Sequence, residues 1–312
     1  MNAPDFDKAA NFIVANARVV DRRRFQRMFG DDSAALIGDG SAAPVDDGSA
    51  ALVRDGSAAA VRDAVAAYRN DDGGFGHGLE PDWRAPGSQP AAVEMALRIM
   101  DQADVWDEAL VQGACDWLTA VAPAEGGAAF VEPTSSGWPH APWWVPEEDH
   151  PASLIATGLI AGTLYARGFS HPWLKRATEV MWTRIGKLTE PGGYEMFGVL
   201  AFLQHVPDRD RAREAFGRVG PLIIERNLAT LDPEAPGETH GPLDFAPEPD
   251  SLARSLFDDA TIKAHLDHLA HAQRDDGGWT FNWLAWSPAA EREWRGYLTV
   301  DALRILRANG LL

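Results

Sequence analysis

Two kinds of helical segment alternate along the chain, and they differ in how apolar and charged residues are arranged around the helix. In residues 259–273, Ile262, Leu266 and Leu269 fall on one face, and charged or polar side chains occupy the other faces. Residues 151–166 carry no charge and are typical of a buried helix. No segment shows the sustained period-2 alternation of a half-buried strand. The pattern therefore predicts an all-α protein, with amphipathic outer helices and more apolar inner helices.

Glycine-rich turns separate the two kinds of helix. Residues 273–279 are Gln-Arg-Asp-Asp-Gly-Gly-Trp, and residues 69–75 are Arg-Asn-Asp-Asp-Gly-Gly-Phe. Weaker copies occur at residues 126–130 and 191–194. Because glycine adopts positive φ at low steric cost and aspartate binds its local backbone, a helix is expected to end at each copy. A recurring unit of helix, turn, loop and helix indicates a repeat architecture.

Aromatic residues are concentrated at these turns and in the loops that follow them. We expect Phe75, Tyr194 and Trp279 to fill the gaps between neighbouring helical hairpins. The other loop aromatics exceed what packing of loops normally requires. A cavity lined by their ring faces would suit a hydrophobic ligand and would stabilise a carbocation.

The repeated unit predicts one domain over residues 1–312. We expect a closed (α/α) barrel, or toroid, of about five to six helical hairpins, with an inner and an outer ring of helices. Residues 31–54 interrupt the pattern with tandem copies of an eight-residue sequence based on Asp-Gly-Ser-Ala-Ala. We interpret this segment as a low-complexity insertion, because it has too little apolar surface to form packed elements of its own.

Charge and cysteine content restrict the partners and the compartment. A net charge of −18 argues against nucleic acid or an anionic membrane as a partner, since both would require a basic surface. A single cysteine, Cys115, excludes an intrachain disulfide framework and fits a reducing compartment. No signal-peptide pattern is recognisable, and no apolar run is long enough for stable membrane insertion. We therefore expect a cytoplasmic protein whose partner is a hydrophobic small molecule; the sequence leaves the oligomeric state open.

The last repeat carries a resemblance to a known superfamily. Leu266 and Leu269, followed by Gln273 and the turn that ends at Trp279, resemble the glutamine-tryptophan repeat of squalene-hopene and oxidosqualene cyclases. The Gly-Gly-Phe turn and the proline-containing helix after it look like the β-subunit of protein prenyltransferases. The chain thus resembles the prenyltransferase and squalene cyclase repeat superfamily. That resemblance implies an (α/α) toroid and a terpenoid-cyclase or prenyltransferase type of chemistry.

The catalytic motifs of that superfamily are absent from the sequence. Neither the Asp-x-Asp-Asp acid motif nor the Asp-Asp-x-x-Asp magnesium motif occurs, and Cys115 does not match the zinc-binding Asp-x-Cys pair. No catalytic residue is therefore carried over from the superfamily. We expect neither a metal ion nor another cofactor.

Candidate acids come instead from a tripeptide that occurs twice, Glu-Pro-Asp. We predict catalytic roles for Asp250, Asp244 and Glu248, because the second copy gathers three carboxylates beside Phe245. Neighbouring carboxylates in a dry site cannot all ionise, so one would hold a proton near neutral pH. The first copy has a cationic neighbour in Arg84.

A second set of residues lies in the loops after the turns and at the starts of inner helices. There we expect side chains that contact the substrate. They are Glu80, Asp82, Trp83, Trp138, His150, Tyr194, Glu195, Phe245, Trp283 and Trp286.

The sequence favours a terpene-cyclase-like enzyme that acts on a polyprenyl or related intermediate by acid-initiated cyclisation. One alternative is a carbohydrate-active (α/α)-barrel hydrolase, since paired carboxylates with tryptophans also describe glycosidase clefts. Another is a toroid that binds a small ligand without catalysis. Carboxylates facing each other across an open groove would favour the hydrolase, and a closed, mostly apolar site would favour the cyclase.

Overall fold

The computed structural model describes residues 4–37, 58–133, 137–145 and 149–312, and these residues are predominantly helical. In these ranges β contacts are limited to isolated bridges, so the all-α prediction is confirmed. The helices are α1 (Phe6–Asn16), α2 (Val19–Ile37), α3 (58–66), α4 (Pro90–Gln102), α5 (Glu108–Val121), α6 (Leu154–Ala166), α7 (Pro172–Lys187), α8 (Gly193–His205), α9 (Arg209–Val219), α10 (Leu222–Glu225), α11 (Pro242–Phe245), α12 (Asp259–His271) and α13 (Pro288–Ala308).

Local sequence signals explain where many helices begin. The side chains of Asp107 and Asp258 accept hydrogen bonds from backbone N–H groups in the first turns of α5 and α12. Proline stands in the first turn of α4, α7, α11 and α13, where its missing N–H leaves no helical bond unmade. These signals act within a few residues, which is why the pattern along the chain predicts them.

The helices contact one another in an ordered succession. Helix α2 contacts α4, α4 contacts α6, and α6 contacts α8. Helix α8 contacts α11, α11 contacts α12, α12 contacts α13, and α13 contacts α2. Helices α5 and α9 lie outside this succession: α5 contacts α7 and α4, and α9 contacts α8 and α7. Glycines allow α6 and α8 to approach closely, because a Cβ on Gly158 would lie 2.2 Å from the carbonyl oxygen of Gly198.

The two strong glycine turns have the same local structure. Gly73 and Gly277 have φ values of 92° and 91°, as the turn prediction requires. Asp72 and Asp276 each accept a hydrogen bond from the backbone N–H two residues later, at 2.9 Å and 3.0 Å. The 126–130 copy also turns with positive φ at both glycines. The expected turn at residues 191–194 is wrong, because Gly193 is the first residue of α8.

The aromatic residues also differ between the two strong turns and the 191–194 copy. Phe75 and Trp279 are buried, and the Trp279 indole N–H donates to the Leu269 carbonyl oxygen at 2.8 Å. Tyr194 is 48% exposed, so the expectation that it fills a gap between hairpins is wrong. It follows a helix start rather than a turn, and its hydroxyl binds Glu238 at the surface.

Charged side chains are buried between α2, α4 and α13. Arg24 is fully buried and pairs with Asp301, and its guanidinium carbon lies 4.4 Å from the ring centroid of Tyr297. Glu94 and Arg98 pair within α4 on the same side. The space between these helices is therefore filled by ion pairs and a tyrosine ring.

The predicted insertion at residues 31–54 lies largely outside the described residues. Helix α2 continues to Ile37, so the backbone of its first part is helical. The prediction of one domain over residues 1–312 stays a prediction.

Candidate active site

The loop between the first glycine turn and α4 carries the most deeply buried pair of carboxyl groups near the aromatic residues. Glu80 and Asp82 are only 6% and 5% exposed. The loop is compact, because a Cβ on Gly76 would lie 2.2 Å from the carbonyl oxygen of Pro86. Arg18, just before α2, donates to the Leu79 carbonyl oxygen at 2.6 Å and so anchors the loop next to Glu80.

Glu80 and Asp82 contact each other through the backbone. The Asp82 N–H donates to Oε2 of Glu80 at 2.9 Å. Burial raises the pKa of Glu80 well above its ordinary value, and the negative charge of Asp82 raises it further. That backbone N–H and the guanidinium groups of Arg18 and Arg84 act in the opposite direction. Of the two carboxyl groups, Glu80 is therefore the one whose protonated form the surroundings favour more.

Asp82 has hydrogen-bond donors that Glu80 lacks. The indole N–H of Trp294, on α13, donates to Oδ1 of Asp82 at 2.9 Å. Burial raises the pKa of Asp82, and the indoles of Trp294 and Trp286 lower it, as does Arg84. The indole N–H of Trp286 is buried, and among the described residues it makes no hydrogen bond that meets the usual geometry. Burial outweighs these donors, so the pKa of Asp82 is raised overall, but the donors make Asp82 the member of the pair that ionises more readily.

Aromatic rings lie beside Glu80, because Trp83 and Trp144 line the same small cavity as that residue. Trp83 stacks on His140 with ring centroids 4.7 Å apart, and Phe130 stacks on Trp144 at the same distance. Trp83 and Trp144 meet edge to face at 6.1 Å. Their indole N–H groups are buried and have no hydrogen-bond partner in the described part of the chain.

The space left between these side chains is small. A cavity lined by Glu80, Trp83, Trp144 and neighbouring loop residues has a volume of about 10 Å³ for the centre of a water-sized sphere. That is room for about one water molecule. The described residues therefore do not show the substrate-sized hydrophobic pocket that the sequence predicts, because the tryptophans that would line it pack on each other.

An ion pair ties the same loop to α13. Arg84 and Glu293 form two contacts, Nη1 to Oε1 at 3.0 Å and Nη2 to Oε2 at 2.8 Å. Glu293 precedes Trp294, so both contacts to the loop come from one turn of α13. The site is thus assembled from the loop before α4 and the first half of the last helix.

The second Glu-Pro-Asp copy has different surroundings. Glu248 pairs with Arg304, and Asp250 is exposed, with its carbonyl oxygen accepting from Gln204 near the end of α8. Asp244 accepts from the Gly241 N–H at 2.7 Å and so closes the start of α11. Desolvation by surrounding protein atoms raises the pKa of Asp244. Because the residue is exposed, contact with water weakens this effect.

The structure separates Asp244 from Asp250. Phe245, next to Asp244, contacts Phe197 in the first half of α8, with ring centroids 5.0 Å apart. Asp250 instead lies beside Gln204, near the opposite end of that helix. The three carboxyl groups chosen from the sequence therefore do not form one cluster, and their catalytic role stays a prediction.

The remaining sequence candidates are spread around the site. Trp283 stacks on Phe281 at 4.3 Å and meets Trp294 edge-on at 5.6 Å, which places it beside the Asp82 contact. Glu195 accepts from the Gly192 N–H at 2.8 Å and stabilises the start of α8. Trp138 is 50% exposed, and its carbonyl oxygen binds His140.

His150 lies in the loop before α6. It has a positive φ of 42°, and its Nδ1 is buried without a partner among the described residues. Burial raises the pKa of the neighbouring Glu132, and the positive charge that His150 can carry opposes that rise. Gln89 holds the backbone of Glu132 in place through two hydrogen bonds.

Sequence analysis missed two residues that shape the site. They are Trp294 and Arg18. A signal for Arg18 exists, because Asp21 follows it by three residues and binds its guanidinium at 2.7 Å. No local signal links Trp294 to Asp82, which are 212 residues apart.

Two further properties concern the described residues as a whole. They contain no group of three or more His, Cys, Asp or Glu side chains that could hold a metal ion. In the same part of the chain, no helix combines the length and the apolarity that crossing a membrane requires.

Comparisons with known proteins identify the fold and leave the family open. No family model matches the chain, and no curated protein does. Among solved structures, the chain is similar to the crystal structure of a protein from Actinoplanes, with a TM-score of 0.55 and 15% sequence identity. The match covers 96% of this chain and 97% of that one, so the likeness extends over the whole fold.

Proposed function

We propose that this protein is a terpene-cyclase-like enzyme that acts on a hydrophobic polyprenyl or related intermediate by acid-initiated cyclisation. The observation that carries the proposal is Glu80, a buried carboxylic acid beside Asp82 and beneath tryptophan rings. Glu80 takes the place of Asp250 and Asp244 as the acid, since those residues lie apart and Asp250 is exposed.

The same proposal includes a toroidal arrangement of the helices. Support comes from the succession of contacts that runs from α2 through α4, α6, α8, α11, α12 and α13 and returns to α2. In such a ring, the Glu80 loop closes one end, because it connects the first glycine turn to α4. An acid at that end would meet a substrate that enters between the loops.

The chemistry follows from the two carboxyl groups. Glu80 transfers its proton to a substrate alkene or epoxide oxygen, and an alkene of the same molecule attacks the resulting cationic carbon to form a ring. Loss of a proton from carbon to solvent water ends the reaction, and the solvent returns one proton to Glu80, so the conversion is a net isomerisation. Because burial raises the pKa of Glu80, it is a weak acid, which favours an epoxide oxygen over an alkene as the proton acceptor.

The surroundings of Glu80 suit a cationic intermediate. Ionised Asp82 attracts a nearby positive charge, and the faces of indole rings attract cations through their π-electrons. The cavity beside Trp83 and Trp144 has room for only about one water molecule. The two rings would therefore have to separate before they could present their faces to a substrate. Substrate binding should therefore change tryptophan fluorescence.

The geometry is less suited to glycoside hydrolysis. Glycosidases place two carboxyl groups on opposite sides of the scissile bond, about 5 to 9 Å apart. Glu80 and Asp82 instead belong to one turn of one loop, with the Asp82 N–H bound to Glu80. They also lie under stacked aromatic rings rather than across an open groove.

The test is turnover of linear polyprenyl alcohols, diphosphates and terminal epoxides, with products separated by gas chromatography and identified by mass spectrometry. We expect cyclic products from the wild-type protein and a loss of at least about a hundredfold in Glu80→Gln. Glu248→Gln is the matched control, because it changes the same tripeptide at a half-exposed position, and it should retain activity.

Other outcomes would contradict the proposal in different ways. Full activity in Glu80→Gln would exclude Glu80 as the acid. Ligand-dependent quenching of tryptophan fluorescence without any product would favour the non-catalytic binding protein. Hydrolysis of a glycoside panel, lost in Glu80→Gln, would favour the carbohydrate-active alternative.

A further inference from the structure

Trp294 approaches the acid pair from a distant part of the chain and in a fixed orientation. Its indole N–H donates to Oδ1 of Asp82 at 2.9 Å. The ring is held edge to face by Trp283 at 5.6 Å and by Tyr297 at 5.8 Å, with interplanar angles of 90° and 88°. Because both neighbours restrict its rotation, the N–H is directed at Asp82 before any substrate binds.

Most of the charged groups around Glu80 and Asp82 form ion pairs with other residues. Arg18 binds Asp21 and the Leu79 carbonyl oxygen, and Arg84 binds Glu293. Arg98 pairs with Glu94. These groups act on the pair through space, whereas Trp294 makes a direct hydrogen bond. The titratable and charged groups that face Glu80 or Asp82 are Arg18, Arg84, Arg98, Tyr194 and Glu293.

We propose that Trp294 is a positioning residue that keeps the negative charge on Asp82 and thereby leaves the proton of the pair on Glu80. An N–H donor stabilises a carboxylate more than a neutral acid, so it favours the ionised form of the side chain it binds. Among the described residues Glu80 receives only the backbone N–H of Asp82, on Oε2, which leaves Oε1 to carry the acidic hydrogen. The catalytic meaning of this arrangement rests on the proposed function, but the location of the charge does not.

The intact protein offers a direct test without any substrate. The indole ¹⁵N–¹H resonance of Trp294, assigned by its absence in Trp294→Phe, should shift as the pH crosses the titration of Asp82. The shift should disappear in Asp82→Asn. A resonance that does not move with pH in the wild-type protein would overturn the proposal.

A second test measures how the pair titrates by infrared difference spectroscopy of carboxyl groups. In Trp294→Phe, the pH at which the pair takes up its second proton should rise by about one unit, the scale of a hydrogen bond to a charged group. Trp106→Phe is the control, because it removes an indole that contacts Phe169 and Arg167 rather than Asp82 or Trp294. Equal titration of wild type and Trp294→Phe would overturn the proposal.

These measurements separate the two proposals. A protein that turns over no polyprenyl substrate but shows the shifted titration would refute the proposed function alone. A protein that is active, with an unshifted titration in Trp294→Phe, would refute the role of Trp294 alone.

Discussion

Residues 80–82 and residues 248–250 carry the same tripeptide, Glu-Pro-Asp, in opposite surroundings. In the first copy both carboxyl groups are buried, and Asp82 binds the indole of Trp294. In the second copy Glu248 is half-exposed and pairs with Arg304, and Asp250 faces solvent. The two copies therefore have the same covalent structure and different chemistry.

The difference arises from what covers each copy. The first copy lies under the stacked aromatic rings of two loops and against the first half of α13. The second lies between the short helix α11 and the 3₁₀ turn Leu252–Leu256, at the far end of α13. Glu80 loses water while the arginines that face it are bound to other carboxylates, so its protonated form is favoured, whereas Glu248 faces both water and a directly paired cation. Burial by distant elements, rather than the tripeptide itself, makes the first copy a candidate acid.

The largest expected effect comes from reversing the charge of the glutamate in each copy. Glu80→Lys would place an ammonium group in a buried site that already faces Arg18 and Arg84, and we expect a loss of roughly 3–5 kcal/mol in the free energy of unfolding. Glu248→Lys should cost less than about 1 kcal/mol, since it removes only a partly exposed ion pair. Chemical denaturation of both variants measures the difference, and similar losses would show that the copies are equally buried.

A smaller effect should appear in the pH dependence of stability. Because the pKa of Glu80 is raised in the folded protein, the folded state binds more protons than the unfolded state between the ordinary glutamate pKa and the raised value. Wild-type stability should therefore fall as pH rises through that window, by up to ~1.4 kcal/mol per pH unit. Glu80→Gln removes this titration and keeps an acceptor for the Asp82 N–H.

The measurement is the difference in unfolding free energy between Glu80→Gln and wild type across the pH range. It should favour the variant increasingly from mildly acidic to neutral pH and become constant once Glu80 ionises in the folded protein. A difference that does not change with pH would mean that Glu80 titrates alike in both states. In that case Glu80 would titrate like a solvated glutamate, as Glu248 is expected to do from its exposure.

Much of the fold could be predicted from the sequence, because its signals are local. The proline at the start of α4 and the positive φ of Gly73 and Gly277 depend on neighbours within a few residues. The failure at residues 191–194 shows the limit of such signals. Two glycines can begin a helix as well as end one, and only the surrounding packing decides between these outcomes.

The candidate site could be predicted only in part. The aromatic loops and the first Glu-Pro-Asp copy were both recognisable along the chain. The choice between the two copies was not, since it depends on Trp294 and Arg18, which lie 212 and 61 residues from their partners in the loop. The size of the cavity depends on how Trp83 and Trp144 pack, which no periodic pattern specifies.

The smallest expected effect concerns the ion pair that attaches each copy to α13. Arg84 and Glu293 meet through two contacts and are each about a quarter exposed, whereas Glu248 beside Arg304 is 45% exposed. One hydrogen bond and a second close N–O contact hold the Arg84–Glu293 pair, and its lower exposure reduces screening by water and salt. We therefore expect a double-mutant cycle on Arg84→Met and Glu293→Gln to give a coupling energy near the upper end of the range for such pairs, about 1 kcal/mol. The cycle on Arg304→Met and Glu248→Gln should give a smaller coupling that decreases more steeply with added salt. If the second pair proved the stronger, α13 would hold the exposed copy more firmly than the buried one, and the ion pair could not be what fixes the Glu80 loop.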